Sequence, residues 1–340
     1  KKTKYSRKNN PAVELMRKVI AAKKSSDLHQ HDYYSIDKYS KITFALNDVT
    51  DKVFEEGKFK KLPFLKDHVE VCNETGKLIL PLSVDETVTR LIYRKEPKSE
   101  KNIILGQRSN GINDLLNTGD IVNTMLKDCF TDVDIYNDEV RLLQYPFTSP
   151  ISSRTAISFY RYFIVDTLMV DGKQRCIQVD FTPNNPQDFG FSGSLYIMAD
   201  GTYRVYKADM GIPVRSDVNF VQSMRIIQTF DQLPTGEQVL VKDNMLVQLH
   251  ITKSAGKFQV KRDTEYSNFA FEPIPDKTFK FKGETLTSAN AQMQDEHFWQ
   301  EHRADSLTKS ESTMKQLIKK LESVKGFKPV LWVAKAFIEN

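Results

Sequence analysis

The sequence predicts an α+β fold built on a large, curved antiparallel β-meander, a half-barrel with helices packed on one face. The first observation is a series of short alternating segments from Thr155 to Phe271. The second is a pair of Asp-Gly turns within it, Asp171-Gly172 and Asp200-Gly201, which are strong hairpin signals. The third is helical periodicity on both sides of the meander, which also predicts a helical C-terminal tail.

The N-terminal segment, residues 1–27, is predicted to be a helix. Asn10 can cap it and Pro11 suits the first helical position. Val13, Met16 and Ile20 then recur on one face, as in an amphipathic helix. A sheet domain with inserted helices is expected to follow over residues 28–284.

The first half of the sheet domain mixes strands with other elements. Apolar residues at period two from Ile36 to Leu46 predict a strand. Lys77–Arg94 reads as a strand or a bent pair, in which Pro81 indicates an edge or a bulge. Gly106–Gly111 is interpreted as a loop, and residues 112–125 as helical.

Alternation is clearest in the meander itself. Each segment carries its apolar residues at every second position, so one side of the sheet should be dry and the other wet. Leu233–Gly236 supplies a third turn. The dry side includes six apolar residues on two successive segments: Phe220, Met224, Ile226, Phe230, Met245 and Val247.

Residues 285–340 are predicted to form the helical tail. Thr308-Lys309-Ser310-Glu311 has the pattern of a capping box, in which the Thr hydroxyl and the Glu carboxylate each accept from a free backbone N–H. A short apolar helix is expected after Pro329. Phe298, Trp299 and Arg303 form an aromatic-basic group on one helix.

Composition limits the possible functions. The 340 residues carry 49 basic and 44 acidic side chains, and a net charge of +5 gives no nucleic-acid footprint. The three cysteines, Cys72, Cys129 and Cys176, are too few and too scattered for a disulfide framework or a cysteine-rich zinc site. Free thiols are expected, with one disulfide as the alternative. The opening KKTKYSRKNN suggests a fragment of a longer chain.

No motif predicts catalysis, a cofactor or a metal. GFSGS (190–194) departs from the nucleophile elbow at its last residue and leads into a strand. DVDIYNDE (132–139) lacks the glycine and a ligand that a calcium loop needs. An unfamiliar hydrolase site built from Asp188, Ser192 and His250 remains an alternative, because these polar residues could meet in the fold.

Two groups of residues allow a functional as well as a structural interpretation. The six apolar residues of the meander could be ordinary core, or could line a cavity that shelters a lipid or another apolar ligand. Phe298, Trp299 and Arg303 could be a local staple, with the arginine stacked on the tryptophan, or a surface on which a neighbouring domain docks.

Five stretches resemble a bacterial family of outer-membrane proteins of unknown function. They are KNNPAVELMRKVIAAK, HDYYSIDKYSKITFALND, NGINDLL, FTPNNPQDFGFSGSLYI and FWQEHRADSLTKSE. The resemblance implies a periplasm-facing segment, with its signal peptide removed, between an N-terminal carboxypeptidase-regulatory-like β-sandwich and a C-terminal outer-membrane β-barrel. Those two domains are the implied partners. No peptidase residues can be carried over, since that name refers to a regulatory fold.

A weaker, architectural resemblance is to periplasmic lipoprotein carriers, whose half-open barrel holds acyl chains. The resulting hypothesis is a non-enzymatic module on the periplasmic face of the outer membrane, which binds an apolar ligand on the concave side of the sheet or docks partner domains. A hydrolase and a purely structural spacer are the alternatives.

Overall fold

The structure is a computed structural model that describes residues 9–23, 27–55, 59–111, 131–142, 145–212, 221–250, 257–303 and 305–324, except for the side chains of Val53 and His250. The chain divides into two compact units. Unit 1 contains residues 1–30, 126–219 and 223–245, and unit 2 contains residues 31–125, 220–222 and 246–340.

Strands dominate the described residues. Their bounds are β1 Tyr33–Asn47, β2 Glu70–Val71, β3 Leu78–Arg94, β4 Ser99–Gly111, β5 Glu139–Leu142, β6 Tyr145–Thr148, β7 Tyr160–Val170, β8 Gln174–Pro183, β9 Ser192–Met198, β10 Val205–Gly211, β11 Val221–Gln232, β12 Gln238–His250, β13 Lys257–Ala270 and β14 Thr285–Thr287.

Helices in the same residues are few and short. The α-helices are α1 Pro11–Ala22, α2 Asp51–Glu55, α3 Ala156–Phe159, α4 Glu296–His302, α5 Lys309–Ser312 and α6 Met314–Ser323. Short 3₁₀ helices span Leu28–Gln30, Pro63–His68, Asp276–Phe279 and Ala291–Met293. In the described part of the chain, no helix is both long and apolar enough to cross a membrane.

Unit 1 contains the predicted meander. Its strands follow one another as hydrogen-bonded neighbours in the order β11-β10-β9-β8-β7, all antiparallel. The β7–β8 turn has φ of 51° at Asp171 and 66° at Gly172, so both central residues are left-handed, as a type I′ hairpin requires. The Leu233–Gly236 turn closes through a 2.8 Å hydrogen bond from the Gly236 N–H to the Leu233 carbonyl. These local predictions are confirmed.

Helix α1 belongs to the same unit and begins as predicted. The Asn10 side chain accepts from the Ala12 N–H at 2.9 Å, and Pro11 occupies the first turn. The Asn10 amide also donates to the Tyr162 carbonyl of β7 at 3.2 Å, which ties the start of the helix to the sheet. Val13 and Met16 are buried.

Unit 2 has the strand order β14-β4-β3-β1-β13, with β2 on β3. Residues Gly106–Gly111, interpreted as a loop, instead belong to β4 and pair with β3, which shows that cross-strand pairing outweighs the weak strand propensity of glycine. Of the two alternatives predicted at Pro81, an edge or a bulge, the structure has the bulge, since the β1–β3 register shifts there. Strand β14 pairs in parallel with β4, within a segment predicted to be helical.

The predicted capping box is present at α5. The Glu311 N–H donates to the Thr308 hydroxyl at 3.2 Å, and the Thr308 N–H donates to the Glu311 carboxylate at 2.9 Å. The same carboxylate accepts hydrogen bonds from two residues of β1, from Lys41 Nζ and from the Thr43 hydroxyl, both at 3.0 Å. One residue therefore both caps a helix and holds it on the sheet.

Several predictions lie outside the described residues. These are residues 1–8 of the predicted N-terminal helix, the helix at 112–125, Phe220, Cys129 and the apolar helix after Pro329. The curvature of the sheet and the domain boundaries at 27 and 284 stay predictions. Cys72 and Cys176 are buried free thiols, as expected. Burial raises the pKa of Cys176 to about 11, so the thiolate form is disfavoured.

Candidate functional site

The unit 1 sheet has one continuous buried side, called here the apolar face. Tyr162, Phe181, Gly193, Met210 and Ile226 lie directly opposite one another across β7 to β11, and so share this side. Apart from the glycine, each of these residues is 2% exposed or less. The face therefore runs across all five strands.

The predicted ligand-binding residues are fully buried wherever the structure describes them. Met224, Ile226, Phe230, Met245 and Val247 are each 2% exposed or less. The first four belong to unit 1 and Val247 to unit 2. Burial of this degree means that other atoms of the protein cover these side chains, as in a packed core.

One end of the apolar face is covered by the chain itself. The Phe230 ring meets Tyr136 edge to face, with centroids 5.5 Å apart. The buried Gln228 side chain donates to the Val133 carbonyl at 2.7 Å. Around Phe230, the structural interpretation as core is therefore the appropriate one.

The opposite side of the unit 1 sheet is polar. Asp180, Ser194 and Asp209 lie opposite one another across β8, β9 and β10. The Ser194 hydroxyl donates to Asp180 at 2.7 Å, and Arg225 forms a two-point ion pair with Asp209 at 2.9 and 2.6 Å. The wet side that alternation predicts is thus present, with its charges in pairs.

In unit 2, the aromatic-basic group lies on its own sheet. Trp299 packs with Tyr39 and Val88, and Phe298 packs against the same cluster. A Cβ at Gly106 would overlap the Phe298 ring, so the glycine makes room for it. In the structure, these residues dock α4 onto β1, β3 and β4.

The carboxylate of Glu86, fully buried on β3, is the centre of this contact. It accepts from the Tyr39 hydroxyl at 2.9 Å and from Arg108 Nε at 2.7 Å. Arg303 approaches it with two nitrogens, at 2.5 and 2.8 Å. Both arginines also bind the half-exposed Glu296, so two guanidinium groups are matched by two carboxylates.

The predicted stacking of Arg303 on Trp299 is wrong in its choice of arginine. Arg108 from β4 lies over the indole, 4.8 Å from its centroid, while the Arg303 guanidinium is bound to Glu86 and Glu296. A buried two-point ion pair outweighs a cation–π contact. Because Arg108 was assigned to a loop, its role was missed.

Two residues of β1, Tyr39 and Asp37, have pKa values that their surroundings shift in opposite directions. Burial, with Glu86 beside it, raises the pKa of Tyr39. Burial alone would raise the pKa of Asp37, but hydrogen bonds from Arg90 and Asn268 outweigh it and lower the pKa. Arg90 binds Asp37 at 2.6 and 2.8 Å, and Asn268 donates at 2.9 Å.

The alternative hydrolase residues show no catalytic arrangement among the atoms described. The Ser192 hydroxyl lies 3.3 Å from that of Thr182, and exposed Asp188 accepts from the Asn185 amide at 2.9 Å. The side chain of His250 lies outside the described residues. Among the described side chains, no base contacts the Ser192 hydroxyl.

The fold and site define a β-rich module with one buried apolar sheet face and a polar opposite face. The chain matches the family of unknown function DUF5686 over residues 15–269, and it belongs to that family. The predicted membership of a family of unknown function is thereby confirmed at this level. Among curated proteins, none matches the chain significantly.

Solved structures give distant likenesses. A LolA superfamily protein from Nitrosomonas europaea is 11% identical, covers 79% of this chain and 97% of its own, and has a TM-score of 0.25. The MucA/MucB complex of Pseudomonas aeruginosa is 8% identical, covers 77% of this chain and 99% of its own, and has a TM-score of 0.20. Lipovitellin, from a structure of its lipid–protein interactions, is 9% identical, covers 90% of this chain and 33% of its own, and has a TM-score of 0.24. At these scores the likenesses carry no argument about function.

Proposed function

We propose that the chain is a non-enzymatic module that binds an apolar ligand, such as the acyl chain of a lipid, on the apolar face of unit 1. The observation that carries the proposal is the row from Tyr162 to Ile226, which is buried across five neighbouring strands. A ligand site of this kind is mostly apolar and buries most of its ligand.

The composition of the face supports this choice over a rigid core. Met210, Met224 and Met245 are all fully buried in unit 1. Methionine is unbranched and polarisable, so it adapts to irregular or varied apolar partners.

The setting of the module is part of the proposal. A position on the periplasmic face of the bacterial outer membrane, with a β-sandwich and a membrane barrel as partner domains, rests on the sequence resemblance. Membership of the DUF5686 family is compatible with that resemblance and does not test it.

Native mass spectrometry tests the proposal on protein extracted gently from membranes. We expect a bound lipid that is lost in Ile226→Glu and retained in Ile227→Glu. These neighbours on β11 are a matched pair, since Ile226 is fully buried on the apolar face, whereas Ile227 is partly exposed and pairs with Asp209 of the polar face. A wild-type protein that carries no apolar ligand and binds no added dodecanol would contradict it.

A structural module with a solid core is the second candidate. It is favoured by the Phe230–Tyr136 contact and by the Gln228–Val133 hydrogen bond, with which the chain covers its own sheet. In that case Met224→Ala should cost about 2–5 kcal/mol of stability, as a cavity in a packed core does. No ligand should be found in the wild-type protein.

A further inference from the structure

A crevice in unit 1 lies between α1, the segment around Tyr136 and the start of β10. Its walls come from eight residues: Val19, Ala22, Lys23, Tyr136, Ile151, Tyr203, Arg204 and Val205. These walls stand close together and leave the crevice partly open to solvent. The lining combines two cations, two tyrosines and four aliphatic side chains.

Arg204 is the unusual member of this lining. Its Nη1 atom is buried and has no hydrogen-bond partner among the described residues. A buried donor without a partner costs free energy, and a bound ion is one way in which such a group is satisfied. A guanidinium group pairs best with a carboxylate or a phosphate.

Neighbouring carboxylates are already engaged. Asp138 binds Lys23 at 3.2 Å and exposed Arg154 at 3.4 Å. Asp200 accepts from the Thr202 N–H at 2.9 Å and from the Thr202 hydroxyl at 2.6 Å, although it remains near enough to Arg204 for attraction.

The described residues that line the crevice include two cations, Lys23 and Arg204, and no carboxylate. Lys18 lies at its edge, with Nζ 5.1 Å from the centroid of the Tyr203 ring. The cations Lys18, Lys23, Arg154 and Arg204 lie near three carboxylates: Asp138, Asp200 and Asp134, which accepts from the Tyr136 N–H at 2.8 Å.

The crevice adjoins the apolar face. Val205 pairs with Ile197 across β9 and β10, and both side chains are buried on that face. Tyr136, on the other wall, is the residue that covers Phe230. A polar group of a ligand bound to Arg204 would thus lie at the edge of the apolar face.

We infer that Arg204 receives the anionic head group, a carboxylate or phosphate, of the apolar ligand that binds to unit 1. This inference rests on the proposed function, and it names the ligand as an anionic lipid rather than a neutral one. As it stands, the crevice is too narrow for a water molecule, so binding requires the partly exposed Tyr203 side chain to turn aside. Among the described residues, its hydroxyl has one hydrogen-bond partner, Lys18, at 3.5 Å.

Calorimetric titration of the whole chain tests the inference with dodecanoate, dodecanol and inorganic phosphate. We expect dodecanoate to bind about tenfold more tightly than dodecanol, which is the factor that one charge-assisted hydrogen bond of about 1.4 kcal/mol supplies. Arg204→Gln should remove this preference by weakening dodecanoate binding about tenfold. Arg175→Gln, at an exposed arginine of β8, should retain it.

Each outcome decides between the two proposals. Equal binding of dodecanoate and dodecanol, or a preference that survives Arg204→Gln, overturns the head-group site and leaves the apolar site intact. Phosphate that binds through Arg204 while dodecanol does not bind means a free-anion site, and also overturns it. If none of the probes binds, the proposed function itself fails. Arg204→Lys keeps the positive charge but loses the two-point hydrogen bonding of a guanidinium group, so it should show an intermediate preference. This variant is also a control in case the glutamine variant misfolds.

Discussion

A single carboxylate, that of Glu86, connects three strands of unit 2 with helix α4. It binds Tyr39 of β1, Arg108 of β4 and Arg303 beyond α4, while its own backbone lies in β3. The group is fully buried, so its charge is stabilised by these partners and not by water. Removal of one member of such a cluster leaves an uncompensated charge on the others.

Glu86→Gln should therefore destabilise the protein by about 3 kcal/mol, because two arginines then share too little negative charge. Urea denaturation followed by circular dichroism measures the loss. Glu296→Gln is the matched control: Glu296 binds the same two arginines, but its side chain is 56% exposed. It should cost less than about 1 kcal/mol. Equal losses in the two variants would refute the assigned role of Glu86.

Asp37 gives the protein a dependence on acid pH. Its pKa is lowered in the folded state, so its contribution to stability is complete above the unfolded-state pKa, which is about 3.9. That contribution is lost as the pH falls through the folded-state pKa. We expect Asp37→Asn to flatten the fall in unfolding free energy below about pH 4, whereas the same substitution at exposed Asp231 should not. Denaturation curves between pH 3 and pH 6 test this, and parallel curves for the three proteins would contradict it.

At the scale of elements, helix α4 fits the sheet because β4 lacks a side chain beneath it. Phe298 occupies the space over Gly106, and Trp299 fills the neighbouring position beside Val88. The Gln294 amide fixes the approach through a 2.7 Å hydrogen bond to the Leu105 carbonyl. The glycine in this strand is thus a packing requirement and not a turn.

Gly106→Ala should displace α4 and destabilise the protein by about 1–3 kcal/mol, since the added methyl group overlaps the Phe298 ring. Thermal denaturation measures the effect. The double variant Gly106→Ala with Phe298→Ala is the internal control, because without the ring the methyl group has room. Its loss should be smaller than the sum of the two single losses. Strict additivity would show that the ring and the glycine are not coupled.

At the scale of the whole molecule, a ligand that binds only the folded chain must raise its stability. At a hundredfold excess over its dissociation constant, an apolar ligand should add about 2.7 kcal/mol to the free energy of unfolding. We expect this increase with dodecanoate in the wild-type protein and in Ile227→Glu, and none in Ile226→Glu. Chemical denaturation at several ligand concentrations is the measurement. An increase that persists in Ile226→Glu would place binding away from the apolar face.

Short-range signals explain most of the successful predictions. Asn10-Pro11, Asp171-Gly172 and Thr308–Glu311 each act on backbone groups within a few residues, so their effect can be read from the chain alone. The alternation that gave the dry and wet sides of β8 to β11 is equally local. A hint of the buried cluster was also present, since Glu86 shares a strand side with Val84 and Val88.

The sequence by itself determined the meander, its turns, the first helix and the capping box, because each depends on residues that are neighbours along the chain. Only the tertiary structure decided that β1 lies between β13 and β3, that Gly106 is part of a strand, and that Arg108 and not Arg303 covers Trp299. These outcomes depend on contacts between residues far apart in sequence. Strand pairing and charge pairing across such distances are set by the competition among all possible partners, which no local pattern records.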